Sequence, residues 1–414
     1  MSGQETMTAQ EKQYLRELAK KQLEYANLPI MEERKQLWYL HNSLQGPRPM
    51  VVMEEETFLE EILPPSQCQT ADGKWMERQL LQNILAYEIE DDDKVVPDCF
   101  YVDFQIRIKH WNVELHRVVA KEGLGYHVDP ILECLEEDLE KLSPSIYHYD
   151  EEETKRRRQV AEEVLGDILP VRFRNTTNRW ESTITAKAVD LMGMENMFCS
   201  MMTEPEKFHE LMNFLTDDII RGLRWQEENG LLLLNNGNDY MGSGSYCFNH
   251  ELDHPKDGKV VRSTDVWGHT NSQESIGISP QMYHEFIYPY YARLAKEYGL
   301  LYYGCCEPVD PFWDDSISHY ANLRKVSISP WCNEEFMAER LSGGNVIYSR
   351  KPSPNFIGVE KEFDEDGFRA YIRKTVDLTR ECKTEFIFRD IYRLNGNLDK
   401  VKRAVAIVRE ETQR

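Results

Sequence analysis

The chain predicts an α/β protein, a (β/α)8 TIM barrel with a helical N-terminal extension, and three observations carry that prediction. Short apolar runs recur along the 414 residues, several of them near-continuous rather than alternating, as in parallel strands covered on both faces. Helical stretches with start and stop signals lie between many of these runs. No strand candidate is followed by GxGxxG, which argues against an open doubly wound sheet.

The strands are expected in the order 48–54 (RPMVVME), 101–108 (YVDFQIRI), 169–174 (LPVRFR), 231–239 (LLLLNNGND), 300–307 (LLYYGCCE), 323–332 (LRKVSISPWC), 345–352 (NVIYSRKP) and 384–391 (TEFIFRDI). Before them, residues 1–45 read as the helical extension, and 46–414 as the barrel. Within "TEPEKFHELMNFLTDDIIRGLRWQEENG", Thr203 and Glu206 have the spacing of a capping box. Phe208, Leu211, Leu215, Ile219 and Leu223 then form one apolar stripe, which Gly230 ends. In "SPQMYHEFIYPYYARLAKEYG", Ser279 is the cap, Pro280 stands in the first turn, Pro289 should kink the helix and Gly299 should stop it. "MGSGSY" offers only GxG at Gly242 and Gly244, a turn rather than a phosphate cradle.

Composition bounds the function. A formal charge of −23 opposes binding to a phosphate backbone, and the one dense basic run, KRRR at 155–158, follows an acidic run and reads as a solvated helix face. No run approaches the length of a membrane span, and the first residues lack the pattern of a secretory signal. Nine scattered cysteines in a chain of this length suggest reduced thiols and a cytoplasmic protein.

In such barrels the chemistry sits at the C-terminal ends of the strands. Those ends carry Glu54, Asn235, Asn236, Cys305, Cys306, Glu307, Cys332, Lys351 and Asp390. Two thiolates and a carboxylate from distant parts of the sequence suit a catalytic zinc with one open position, so the expected metal ligands are one or other of Cys305 and Cys306, with Cys332 and Asp390. Buried structural cysteines are the plainer reading of the same residues. The stretch 263–280, "STDVWGHTNSQESIGISP", is expected as a long polar loop, with His269 a ligand or general base. Glu54, Asn235, Asn236 and Lys351 are expected to bind substrate, and Glu307 to handle a proton.

"ISPQMYHEFIYPYYARLAKEYGLLYYGCCEP" and "TNRWESTITAKAVDLMGMENMFCSMMTEPEKFHELMNFLTDD" resemble the uroporphyrinogen decarboxylase superfamily, with its SP-x-x-x-x-x-F-x-x-P helix and following HxCG-type strand. The resemblance runs from about residue 160 to 410 and implies a (β/α)8 barrel. "LWYLHNSLQGPRPMVVMEEE" lacks the PxWxMRQAGR-like stretch of the decarboxylases, so the branch resembled is that of the corrinoid-dependent methyltransferases. Their zinc-binding His-x-Cys is here Gly304-Cys305-Cys306-Glu307, Asp390 stands where a later thiol is expected, and Cys332 lies where related barrels place a ligand.

The resemblance implies zinc-dependent methyl transfer between a small methylated substrate or thiol and the corrinoid of a partner protein. "LDHPKDGK" at 252–259 does not make the DxHxxG of a corrinoid-binding loop, so the corrinoid would come from that partner. The alternatives are a metal-independent decarboxylase, with Lys351 and Arg350 on the substrate carboxylate, and a degenerate barrel that only binds a partner.

Overall fold

The computed structural model describes residues 6–119, 126–256 and 258–413. Six parallel strands form the central sheet, in the order Met50–Met53, Thr384–Phe388, Ile347–Arg350, Leu323–Ile328, Leu300–Tyr303, Trp267–Thr270. A second parallel pair, Phe100–Asp103 with Val171–Arg174, stands apart from it. All six central strands are largely buried, and helices such as Pro205–Glu228, Glu365–Leu378 and Asp399–Thr412 pack their apolar stripes against the sheet.

Side chains seal both edges of the six-stranded sheet. On Met50–Met53, the Asp93 carboxylate accepts from Val51 N at 2.8 Å and Asp92 from Met53 N at 2.9 Å. At the other edge the Asn235 amide clasps Trp267, accepting from its N–H at 2.8 Å and donating to its C=O at 3.0 Å. Edge backbone groups thereby gain partners without a further strand. Among the described residues the ladders do not run continuously around a barrel.

Four expectations are corrected. The run 231–239 is not a strand, because the Asn235 side chain takes over the pairing a ladder would make. The stretch 263–280 is not one loop: Trp267–Thr270 is a fully buried strand. "YVDFQIRI" is broken after Asp103, and its second half, Ile106–Lys109, pairs antiparallel with Ile146–Tyr149. Thr203 caps nothing, since its hydroxyl donates to Cys199 O within the preceding helix; Glu204 stands at the N-cap of Pro205–Glu228. The stripe of Phe208, Leu211, Leu215, Ile219 and Leu223 is buried as expected. Ser279 caps its helix through Met282 N, and the helix breaks at Ile287, two residues before Pro289.

The N-terminal helices Ala9–Ala26 and Pro29–Asn42 pack onto the molecule; residues 1–5 of the expected extension lie outside the described residues. Trp38 and His41 are buried, and His41 Nε2 lies 3.1 Å from Glu385 inside the sheet. Glu385 also receives Lys325 Nζ at 3.0 Å and the hydroxyls of Ser245 and Ser349.

Candidate active site

The opening feature of the site is a backbone turn. Strand Leu300–Tyr303 ends at Gly304, whose φ of +95° lies where an L side chain is strained, and whose added Cβ would stand 3.0 Å from Ser327 Cβ. The turn sends Cys305, Cys306 and Glu307 off the strand end. Asp390, just past Thr384–Phe388, also has a left-handed φ of +59°. Strain of that kind in a residue with a side chain persists where the surroundings hold it.

These turns bring sulfur and carboxylate together. Cys305 Sγ lies 3.5 Å from Cys306 Sγ and 3.3 Å from Arg389 Nη1, and Cys306 Sγ lies 3.3 Å from Asp390 Oδ2. The hydrogen bond from Cys306 and the Arg389 charge outweigh burial and hold the Cys305 thiol down at about 6. Cys306 is driven up by the Cys305 thiolate, by burial and by Asp390, so it stays a thiol. The pair therefore holds one negative charge, on Cys305.

Arg389 is itself fixed: Nε donates to Glu54 Oε2 at 2.7 Å, and Nη1 reaches Ser243 Oγ at 3.3 Å. Tyr240 donates its hydroxyl to the other Glu54 oxygen. Burial raises the Glu54 carboxyl while Arg389 opposes it.

Glu307 is a staple. It accepts from Ser272 N at 3.1 Å and Cys305 N at 2.9 Å, joining the ends of two strands. Burial first, and then the charge of Cys305, push it up to about 7. Lys351 Nζ donates to Ser349 Oγ at 3.0 Å and to the Tyr302 hydroxyl, both uncharged partners. Burial brings it down to about 7. His269 lies in the strand Trp267–Thr270 with Nε2 3.2 Å from Gly304 O, and burial lowers it to about 3, so it is a neutral imidazole.

The structure thus unites Cys305, Cys306, Asp390 and Glu307, with Glu54 joined to them through Arg389. Cys332 touches that cluster only at its backbone, with Sγ 3.9 Å from Glu307 O. Its sulfur accepts from Val309 N at 3.4 Å, lies 3.6 Å from Ser329 Oγ, and is pushed up to about 11 by burial. Asn235 and Asn236 use their amides on the backbone of Trp267 and Leu252. Arg350 donates to Ile328 O, Ser329 O and Glu334, which takes it away from any substrate carboxylate.

The expected zinc set does not fit. Among the described residues no three His, Cys, Asp or Glu side chains form a group able to hold a metal ion. The Cys332 sulfur is held by the backbone at Val309 and Glu307, and Arg389 already supplies the positive charge beside Cys305.

Arg389, Arg179, Trp180, Tyr240 and Ser243 join the site without having been expected from the sequence. Arg389 was detectable by its position beside Asp390 at a strand end; Tyr240 and Ser243, on a short hairpin folded back toward the strand ends, had no such signal. A cleft of about 290 Å³ adjoins the cluster, lined by Glu54, Tyr101, Arg174, Arg179 and Tyr240 among others. A second, of about 120 Å³, shares Arg174, Arg179 and Tyr240 and adds Gly242 and His269.

No protein-family model and no curated protein matches the sequence. Among solved structures, a methyltransferase from Methanosarcina mazei is similar over 91% of this chain and 98% of its own, with a TM-score of 0.53 and 11% identity. At that identity the likeness is one of fold.

Proposed function

We propose that this chain is a methyltransferase on a (β/α)8 barrel of the uroporphyrinogen decarboxylase type, moving a methyl group between a small substrate and the corrinoid of a partner protein. The observation that carries this reading is the Cys305 thiolate, held at the strand ends by Arg389 and the Cys306 thiol. The fold shared with a methyltransferase agrees with it.

In this mechanism Cys305 Sγ is the carrier. Its lone pair attacks the methyl carbon, the sulfur–carbon bond forms, and the bond from carbon to the donor atom breaks with its electron pair leaving on the donor. The onward step reverses this: the pair returns to Cys305 as the methyl group departs. A thiol held near 6 is a moderate nucleophile and a good leaving group, which suits a carrier that must both take and release. Arg389 and Cys306 stabilise the returning charge, while Lys351 and Glu307, both near 7, suit proton exchange with the substrate heteroatom. No step uses zinc.

Exposed rings follow three strands at the same end: Trp180, Trp331 and Tyr392. Such rings suit a face that receives another protein's cofactor. The arginine a decarboxylase would use, Arg350, is engaged within the fold.

The test is a single turnover with methylcobalamin, followed by its absorbance. The wild-type protein and Cys332→Ser are expected to demethylate it, and Cys305→Ser is expected not to. Equal demethylation by Cys305→Ser would overturn the proposal.

A further inference from the structure

We infer that the small substrate of this site carries a carboxylate, and that Arg179 binds it. The inference rests on the proposed rim site being where the substrate sits, and its test is independent of methyl transfer.

Five cations line the larger cleft, and four are already committed. Arg78 pairs with Glu60 at 2.5 Å, Lys94 with Glu55 at 2.5 Å and Arg174 with Asp103 at 3.0 Å, while Arg34 lies 3.6 Å from Asp91 and donates to Lys94 O. Arg179 is different. Among the described residues its ion pair is the long 3.8 Å approach to Glu56, and its buried Nε has no hydrogen-bond partner.

Its side chain is only 26% exposed, so water does not fully compensate for the missing partners. The guanidinium stacks on the Tyr240 ring, 3.5 Å from its centroid, which fixes its plane. A planar, oriented fork with an unfilled donor matches a carboxylate.

Arg179 is also coupled to the reacting sulfur. Tyr240 beneath it bonds Glu54, Glu54 bonds Arg389, and Arg389 contacts Cys305. Trp180, the next residue, lies under the Arg389 guanidinium at 5.7 Å. A substrate seated on Arg179 thus lies along one line of contacts leading to the thiolate. The acidic lining of the cleft, Glu54, Glu55, Glu56 and Asp92, selects a single negative charge over a dianionic phosphate.

The experiment is calorimetric binding of methoxyacetate, glycolate and inorganic phosphate, with 2-methoxyethanol as the uncharged counterpart. Methoxyacetate is expected to bind and 2-methoxyethanol not. Arg179→Gln is expected to weaken the carboxylate by about tenfold or more, with Arg179→Lys in between. An unchanged unfolding temperature of Arg179→Gln shows that the variant is folded. Failure of both carboxylates to bind, tighter binding of phosphate, or an affinity unchanged in folded Arg179→Gln would each overturn the inference. Arg179-dependent glycolate binding in a protein that leaves methylcobalamin intact would keep this inference and sink the methyl-transfer reading.

Discussion

Cys305 owes its reactivity to two contacts, with the Cys306 thiol and with Arg389, so its titration is the most sensitive property of the site. A thiol lowered to about 6 is a thiolate above that pH and loses its reactivity below it. Alkylation of Cys305 by iodoacetamide should therefore level off by neutral pH, and Arg389→Gln should move the midpoint upward toward an ordinary thiol, as peptide mass spectrometry across pH can measure. Glu307 gives the opposite kind of signature. Its folded-state value, about 7, lies above the ordinary 4.5, so the folded protein holds a proton there that the unfolded chain has released. Stability is then expected to fall as pH rises from 4.5 to 7, by roughly 3 kcal/mol, and denaturant unfolding of Glu307→Gln should show that slope reduced. The cluster of Cys305, Cys306, Glu307 and Asp390 was legible because each side chain ends a recognisable strand. Cys332 also follows a strand, but its thiol turns to the backbone amide of Val309, a choice of rotamer and packing that spacing does not encode. Arg179 lies in a short turn with no periodicity to mark it.

Among the elements, the segment around Asn235 shows how a side chain replaces a strand. Four leucines before it read as a buried strand, yet the edge of Trp267–Thr270 is satisfied by one amide. Asn235→Ala leaves the Trp267 N–H and C=O without that partner and is expected to cost about 1–3 kcal/mol in denaturant unfolding. The strand Trp267–Thr270 escaped reading for a related reason: W-G-H-T has one large apolar residue and lies inside a polar stretch. Its glycine is a packing requirement, since a Cβ on Gly268 would stand 2.2 Å from the Tyr298 ring. Gly268→Ala is expected to lower stability by about 1–3 kcal/mol, measurable by the same unfolding assay. The other five strands of the six-stranded sheet were legible as short apolar runs, whereas short strands such as Ile146–Tyr149 and Tyr240–Met241 were not, and Ser279 and Pro280 were legible as a cap and first turn. The capping box failed because Thr203 ends one helix a single residue before the next begins, so its hydroxyl belongs to the earlier one.

At the scale of the molecule, the N-terminal helices read as an extension, yet they reach the sheet interior. His41 and Lys325 meet the fully buried Glu385, whose carboxyl is held well below its usual range against the cost of burial by Lys325 and His41. Nothing in the composition of residues 1–45 signals a partner so distant in sequence. Among the described residues no helix is long and apolar enough to cross a membrane, and all nine cysteines are free thiols. The parallel sheet carries the cluster at one end of its strands, and the proposed function depends on the sulfur at that end. The most direct measurement is to incubate the protein with methylcobalamin carrying an isotopically labelled methyl group, then to map the label by peptide mass spectrometry. One labelled methyl is expected on Cys305, and none in Cys305→Ser. Label found only on other residues, or a wild-type Cys305 that stays unmethylated while methylcobalamin is consumed, would contradict the proposed function.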